Sequence, residues 1–286
     1  MKFPAFILTA LATVTASSFA TTASIPADAD TTIHESFPAN NFGARATLQA
    51  GATTGGSART RALVSFNVGA AVPPGATILA ARLTLAATDT PAIPLTTQTF
   101  EVRRILRAWS EGAQNAATGG PAATNDATWS HRLYPQVVWS ATGTDLAASA
   151  SAEIAVADAG SYRLESTASL VADVQAWLDR PEENYGWALL GKNESVAQTA
   201  RTFASREDGA RPPILEIVFA TDTPGFRVSD IVRSGGQVLL NWTGGRAPFQ
   251  IYTRTALGSG ACLQSVRRSA APARSSTSGP ARHFSR

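Results

Sequence analysis

Apolar residues recur at every second position over several stretches of the chain. Ala62, Val64, Phe66 and Val68 alternate along one stretch. Ala81, Leu83, Leu85 and Ala87 do so along another, with Arg82, Thr84 and Thr88 at the opposite parity. Phe100 and Val102 alternate with Thr99, Glu101 and Arg103, Ile154 and Val156 mark a short strand, and Leu215, Ile217 and Phe219 a longer one. Successive strand side chains point to opposite faces, so each stretch has one greasy and one wet side. Many short strands with one polar face, punctuated by Gly, Pro, Asn and Asp, predict an antiparallel all-β domain, a β-sandwich or jelly roll.

One segment departs from this period. Leu170, Val171, Val174, Trp177 and Leu178 fall on one side of a helix, which Thr167 or Ser169 can cap and Pro181 stops. A single short helix across the end of a sandwich accounts for it, because a doubly wound fold needs helices alternating with strands. Beyond Thr221 comes a "TDTPG" linker and three more alternating runs, Phe226–Val232, Val238–Trp242 and Phe249–Tyr252, joined by "SGGQ" and "GGRAP" turns. These resemble the opening of a small fibronectin-like or immunoglobulin-like module, which needs about seven strands. From Ser259 the alternation stops. Residues 259–286 are expected to be a disordered tail or the product of a reading-frame slip near Gly258.

Gly186, Gly191 and Lys192 spell G-x-x-x-x-G-K, most of a phosphate-binding P-loop. A working P-loop follows a strand, opens a helix and carries Ser or Thr after the Lys. Here Asn193 follows, the intervening "WALL" itself reads as strand, and the helix comes before the motif. The spacing is therefore expected to mark a turn at Asn184 and Gly186, a central strand from Trp187, and its end at Gly191.

Composition adds an address. The chain has 286 residues, 44% hydrophobic and 16% charged. Lys2 precedes a mostly apolar run from Phe3 to Ala16, and small residues follow at Ser18 and Ala20, then at Thr21 and Ala23. This reads as a secretory signal peptide over residues 1–23, with a mature start near Thr21 or Ser24. The run is shorter than the roughly 20 apolar residues of a membrane span, and no membrane association is expected once it is removed. The only cysteine is Cys262, so no disulfide forms within the chain. A core of about 200 residues must hold the fold by itself. Residues 259–286 hold five Arg and no acid, so without them the net charge falls from +3 to −2. The folded part is not basic, which argues against a nucleic-acid partner. The 22 Arg against 2 Lys suggest a GC-rich bacterial genome, so the sequon Asn193-Glu194-Ser195 is discounted.

No catalytic signature appears. His34, His131 and His283 are the only histidines, and there is no H-E-x-x-H, G-x-S-x-G or Cys/His cluster. Glu111 and Asp126 flank loops but resemble any solvated or structural carboxylates. The ordered run of "ADTTIHESFPANNFG", "TRALVSFNVGAAVPPGATILAARLTL", "ILRAWSEG" with "DATWS", and "LVADVQAWLDRPEENYGWALLGK" with "RTFASREDGARPPILEIVF" resembles the DNRLRE-type domain, carbohydrate-binding module family 96, over roughly residues 27–219. The literal DNRLRE hexapeptide is missing.

That resemblance implies a β-sandwich without catalysis of its own. It also implies attachment of a secreted module to extracellular or cell-wall polysaccharide, acidic in some relatives; a structural or adhesive surface role is the alternative. Sugar rings stack on aromatic faces and acidic sugars attract cations, so Trp129, Tyr134 and Trp139 in the long loop, with Lys192, are the expected ligand-binding residues. Trp177 and Trp187 are expected in the core, and Trp109 as structural. Sandwich modules of this sort often hold a structural calcium, with Asp28 and Asp30 as candidate ligands. Arg206 is expected to pair with Glu207 and fix a turn.

Overall fold

The alternating stretches are strands in a computed structural model of the chain, which describes residues 20–53, 58–89, 97–141, 143–221, 227–234, 237–243, 250–253 and 264–267. The chain divides after Thr221 into two units. The larger contains β1 (Ala20–Pro26), β2 (Ala29–His34), β3 (Asn40–Asn41), β4 (Thr47–Ala52), β5 (Arg59–Ser65), β6 (Thr77–Asp89), β7 (Gln98–Arg104) and β8 (Gly120–Pro121). It continues with β9 (His131–Leu133), β10 (Val137–Val138), β11 (Ala152–Val156), β12 (Gly160–Leu164), α1 (Ala168–Asp179), β13 (Trp187–Gly191), β14 (Arg201–Ala204) and β15 (Ile214–Ala220). It is an all-β, sandwich-like fold with one short α-helix, as the alternation predicts.

The main sheet runs β1-β15-β6-β14-β4-β5-β13-β7-β11, with β12 also on β6 and β2 also on β5. It curls into two facing layers at β4. Thr47–Ala50 of that strand pair with β14, whereas Gly51 and Ala52 pair with β5. Gly51 has φ 114°, and a Cβ there would lie 2.7 Å from the Ala200 Cα. A side chain at the corner would hit the neighbouring backbone, so glycine is required. Between the layers sits the main core, including Val64, Phe66, Leu83, Leu85, Phe100, Val102, Phe203, Leu215 and Ile217. Each large apolar side chain buried there contributes about 1.5–3 kcal/mol.

Helix α1 packs against β6. The Thr167 hydroxyl accepts the Leu170 N–H at 3.0 Å, so Thr167 rather than Ser169 is the cap. Leu170, Val174, Trp177 and Leu178 enter the main core as their spacing requires, and Trp177 meets Trp187 with ring centroids 4.4 Å apart. Asp173 is buried with them. Its Oδ2 accepts from Ser151 Oγ at 2.5 Å and Trp187 Nε1 at 2.8 Å, and Arg104 Nε lies 3.5 Å from Oδ1.

A second core lies on the far side of the β5–β13–β7 layer. Ile33, Leu63, Ala188 and Leu190 face it, and the segment after β7 covers them with Ile105, Ala127, Trp129 and Trp139. Strand β13 is therefore buried on both sides: Trp187 and Leu189 enter one core, Ala188 and Leu190 the other. That explains the unbroken "WALL", and it places Trp187–Gly191 in a strand, with Gly186 just before it and Lys192 just after it, rather than in a phosphate-binding loop. After the strand come turns and then β14, not a helix.

In the smaller unit β16 (Arg227–Ser234) pairs with β17 (Gln237–Thr243), and β18 (Gln250–Thr253) with β19 (Gln264–Arg267). The first three are the expected strands. The fourth falls within residues 259–286, expected to be a disordered tail or the product of a reading-frame slip. Residues 259–263 and 268–286, like residues 1–19, lie outside the described part of the chain.

Candidate functional site

Strands β7 and β13 are antiparallel neighbours, with Trp187 opposite Arg104. The loop leaving β7 and the turn entering β13 therefore meet at one end of the sheet, where the Ile105 N–H donates to the Gly186 carbonyl at 3.0 Å. The start of β2 and the end of β5 reach the same end, because Ala29 pairs with Ser65. Here Ala29, Ser65, Trp109, Ser110, Glu111, Asn184 and Tyr185 line a cleft of about 320 Å³.

Its walls are held by the backbone. Trp109 Nε1 donates to the Tyr185 carbonyl at 2.8 Å, which ties the two aromatic residues together. Asn184 Nδ2 donates to the Phe66 carbonyl at 2.7 Å, while its Oδ1 has no hydrogen-bond partner. Gly186 has φ 72°, and a Cβ there would run into the Val64 carbonyl oxygen. Only glycine lets the turn carrying Asn184 and Tyr185 pass this close to β5.

Behind the cleft lies a charged cluster. Glu111 Oε1 accepts the Asp30 N–H at 2.7 Å, and Arg206 clamps Glu111 in a fork, Nε to Oε1 at 2.5 Å and Nη2 to Oε2 at 2.7 Å. Such bidentate pairs fix geometry as well as charge. Arg206 Nε also lies 3.1 Å from Glu207 Oε1, so the expected pair forms, with Glu111 as a further, bidentate partner. Arg211 pairs with Asp208 instead. Asp30 is 1% exposed; its Oδ2 accepts the Arg206 N–H at 2.7 Å and its Oδ1 has no partner. Burial pushes its carboxyl up to about 7, against the pull of that peptide N–H. Hydrogen bonding to Glu111 raises Arg206 in turn.

The four residues expected to bind ligand are not gathered in this cleft. Trp129 and Trp139 are 4% and 5% exposed members of the second core. Trp139 Nε1 donates to the Thr128 carbonyl at 2.9 Å, and the Trp129 ring is flanked by the Arg59 and Arg61 guanidinium groups at 5.1 and 5.3 Å. Tyr134 meets His131 edge-on and precedes a cis bond to Pro135. Lys192 is exposed and gives its ammonium to both oxygens of Glu153 at 2.8 Å. Trp177 and Trp187 are core residues as expected. Asp28 is exposed and accepts from Ser65 Oγ at 2.7 Å, away from the carboxylate cluster that contains Asp30.

Sequence reading weighed Trp109 and Glu111 singly and missed their assembly with Asn184 and Tyr185. The signal lay in topology. Once the stretches before "WALL" and after "FEVRR" are paired antiparallel, "AWSEG" and "NYG" must sit side by side.

Fold and cleft define an all-β, sandwich-like unit with an aromatic recess where strand ends and loops converge. Residues 21–139 match the model of carbohydrate-binding module family 96, by its description a family of binding modules. The rest of the larger unit, including β13 to β15, lies beyond the matched residues. No curated protein matches the chain.

Proposed function

We propose that the Ala20–Thr221 unit is the non-catalytic polysaccharide-binding part of an exported protein, and that sugar is held in the Trp109–Tyr185 cleft. The observation that carries this reading is one cleft lined by two aromatic residues, Trp109 and Tyr185, together with Ser65 and Ser110. A pyranose presents apolar C–H faces to an aromatic wall and hydroxyls to polar groups, which is the balance of a small-molecule site. The family match supports carbohydrate as the ligand class.

The burial of Trp129 and Trp139 favours a supporting role for them, with the second core stiffening the loop that carries Trp109. The one carboxylate in the lining is Glu111, already matched by Arg206, so the cleft suits a neutral, hydroxyl-rich sugar better than a uronate. Asp30 and Glu111 are poorly disposed as a hydrolytic pair, since one is buried and the other clamped. Export rests on the leader-like first residues, and residues 221–258 are read as a partial fibronectin-like or immunoglobulin-like module.

A glycan array, followed by affinity electrophoresis in the polymers it selects, tests the reading. Trp109→Ala and Tyr185→Ala should each weaken binding about 30-fold, as for a central aromatic contact worth about 2 kcal/mol. Trp129→Phe, which keeps the core filled, should bind normally. Failure to retain any glycan would favour the structural, adhesive reading, and release of reducing ends would indicate an enzyme.

A further inference from the structure

Three carboxylates from distant parts of the chain converge behind the cleft. Asp30 comes from β2, Glu111 from the loop after β7, and Glu207 from the turn before β15. One oxygen from each lies within 4.8 Å of the others. We propose that this cluster is a binding site for a hard divalent cation of the calcium type. The cluster shares Glu111 with the cleft lining, but cation binding there does not require a sugar.

Two observations beyond the clustering lead there. The first is Asp30 itself: it is 1% exposed, yet its Oδ1 meets no donor. A buried acceptor without a partner is costly, and such atoms call for an unseen water, proton or ion. The second is charge. Three carboxylates face one guanidinium, and Arg206 serves Glu111 and Glu207, leaving Asp30 only the Arg206 peptide N–H. A divalent cation offsets two of the three negative charges, where Arg206 offsets one. The donor set is all oxygen, with no imidazole or thiolate, which favours calcium over zinc. The Arg206 side chain is 39% exposed and can turn outward while its peptide N–H stays on Asp30. Ser205 Oγ donates to the Arg45 carbonyl at 2.6 Å and accepts the Glu207 N–H at 3.1 Å, which fixes the turn that carries Glu207.

The test uses the full chain, stripped with a chelator and titrated with CaCl2, with MgCl2, and with NaCl at matched ionic strength. Calorimetry should show one saturable calcium site, with a dissociation constant of about 10⁻⁴–10⁻³ M as in extracellular modules. At about ten times that concentration Tm should rise by about 3–6 °C. Terbium should bind the same site and luminesce under tryptophan excitation. Glu207→Gln should weaken calcium at least about tenfold, and Asp30→Asn should do the same where it folds. Arg206→Gln should tighten calcium, because it removes a competing cation; a purely structural ion pair would not behave so. No saturable calcium or terbium binding overturns the proposal. So does binding that is indifferent to Glu207→Gln, or an equal response to NaCl.

Discussion

Replacing Asp173 by Ala should be among the most damaging changes outside the cleft. The carboxylate accepts from two buried donors, Ser151 Oγ and Trp187 Nε1, whose residues are 5% and 0% exposed. Truncation leaves both donors without a partner, at about 1–3 kcal/mol each. The Arg104 contact is long, with Arg104 34% exposed, so its loss adds less than about 1 kcal/mol. The expected destabilisation is about 2–7 kcal/mol, or about 4–28 °C in Tm for a unit of this size. Near-UV circular dichroism follows the Trp177–Trp187 packing during urea unfolding, and a change in midpoint at unchanged slope isolates stability. A cycle with Trp187→Phe sharpens the test, because once the indole N–H is gone Asp173→Ala should cost about 1–3 kcal/mol less. Full additivity, or an Asp173→Ala protein within about 0.5 kcal/mol of the parent, would refute the idea that this carboxylate anchors α1 to the sheet.

Three further outcomes are expected. Gly186→Ala forces a left-handed conformation and drives a methyl into β5, so thermal unfolding should show a loss of about 3 kcal/mol or more; under about 1 kcal/mol would contradict the close approach. In chelator-treated protein, burial raises Asp30 from 3.8 to about 7, so the folded state holds a proton that the unfolded chain releases; this stabilisation is complete below about pH 4 and is lost, by about 4 kcal/mol, as pH rises to about 7. Urea melts across that window should lose this slope in Asp30→Asn, and parallel slopes in the two proteins would count against it. Finally, β1 pairs Ala20–Pro26 with Ala220–Ile214, and cleavage after Ala23 would strip Ala20 to Ala23 from the edge of β15. Cleavage after Ala20 spares nearly all of it, and the family match also begins at residue 21. N-terminal mass spectrometry of secreted protein should therefore read Thr21; Ser24 would contradict this, and an uncleaved product would remove the export reading.

Period-2 alternation and one 3.6-residue stripe sufficed to determine an antiparallel β fold with a single capped helix. Those signals are local: Leu83 and Leu85, or Val174 and Trp177, declare their shared face within a few residues, whatever they pack against. The same local rule could not say that a long Gly/Ala/Thr-rich stretch folds back over the sheet. Trp129 and Trp139 therefore read as exposed loop aromatics, although both are buried in a second core. Nor could it bring Asp30, Glu111 and Arg206 together, since hydrogen bonds among them span 81, 95 and 176 residues. Spacing along a strand sets which way a side chain points. Which distant strand end it then meets depends on the order of strands in the curled sheet, and only the tertiary structure decides that order.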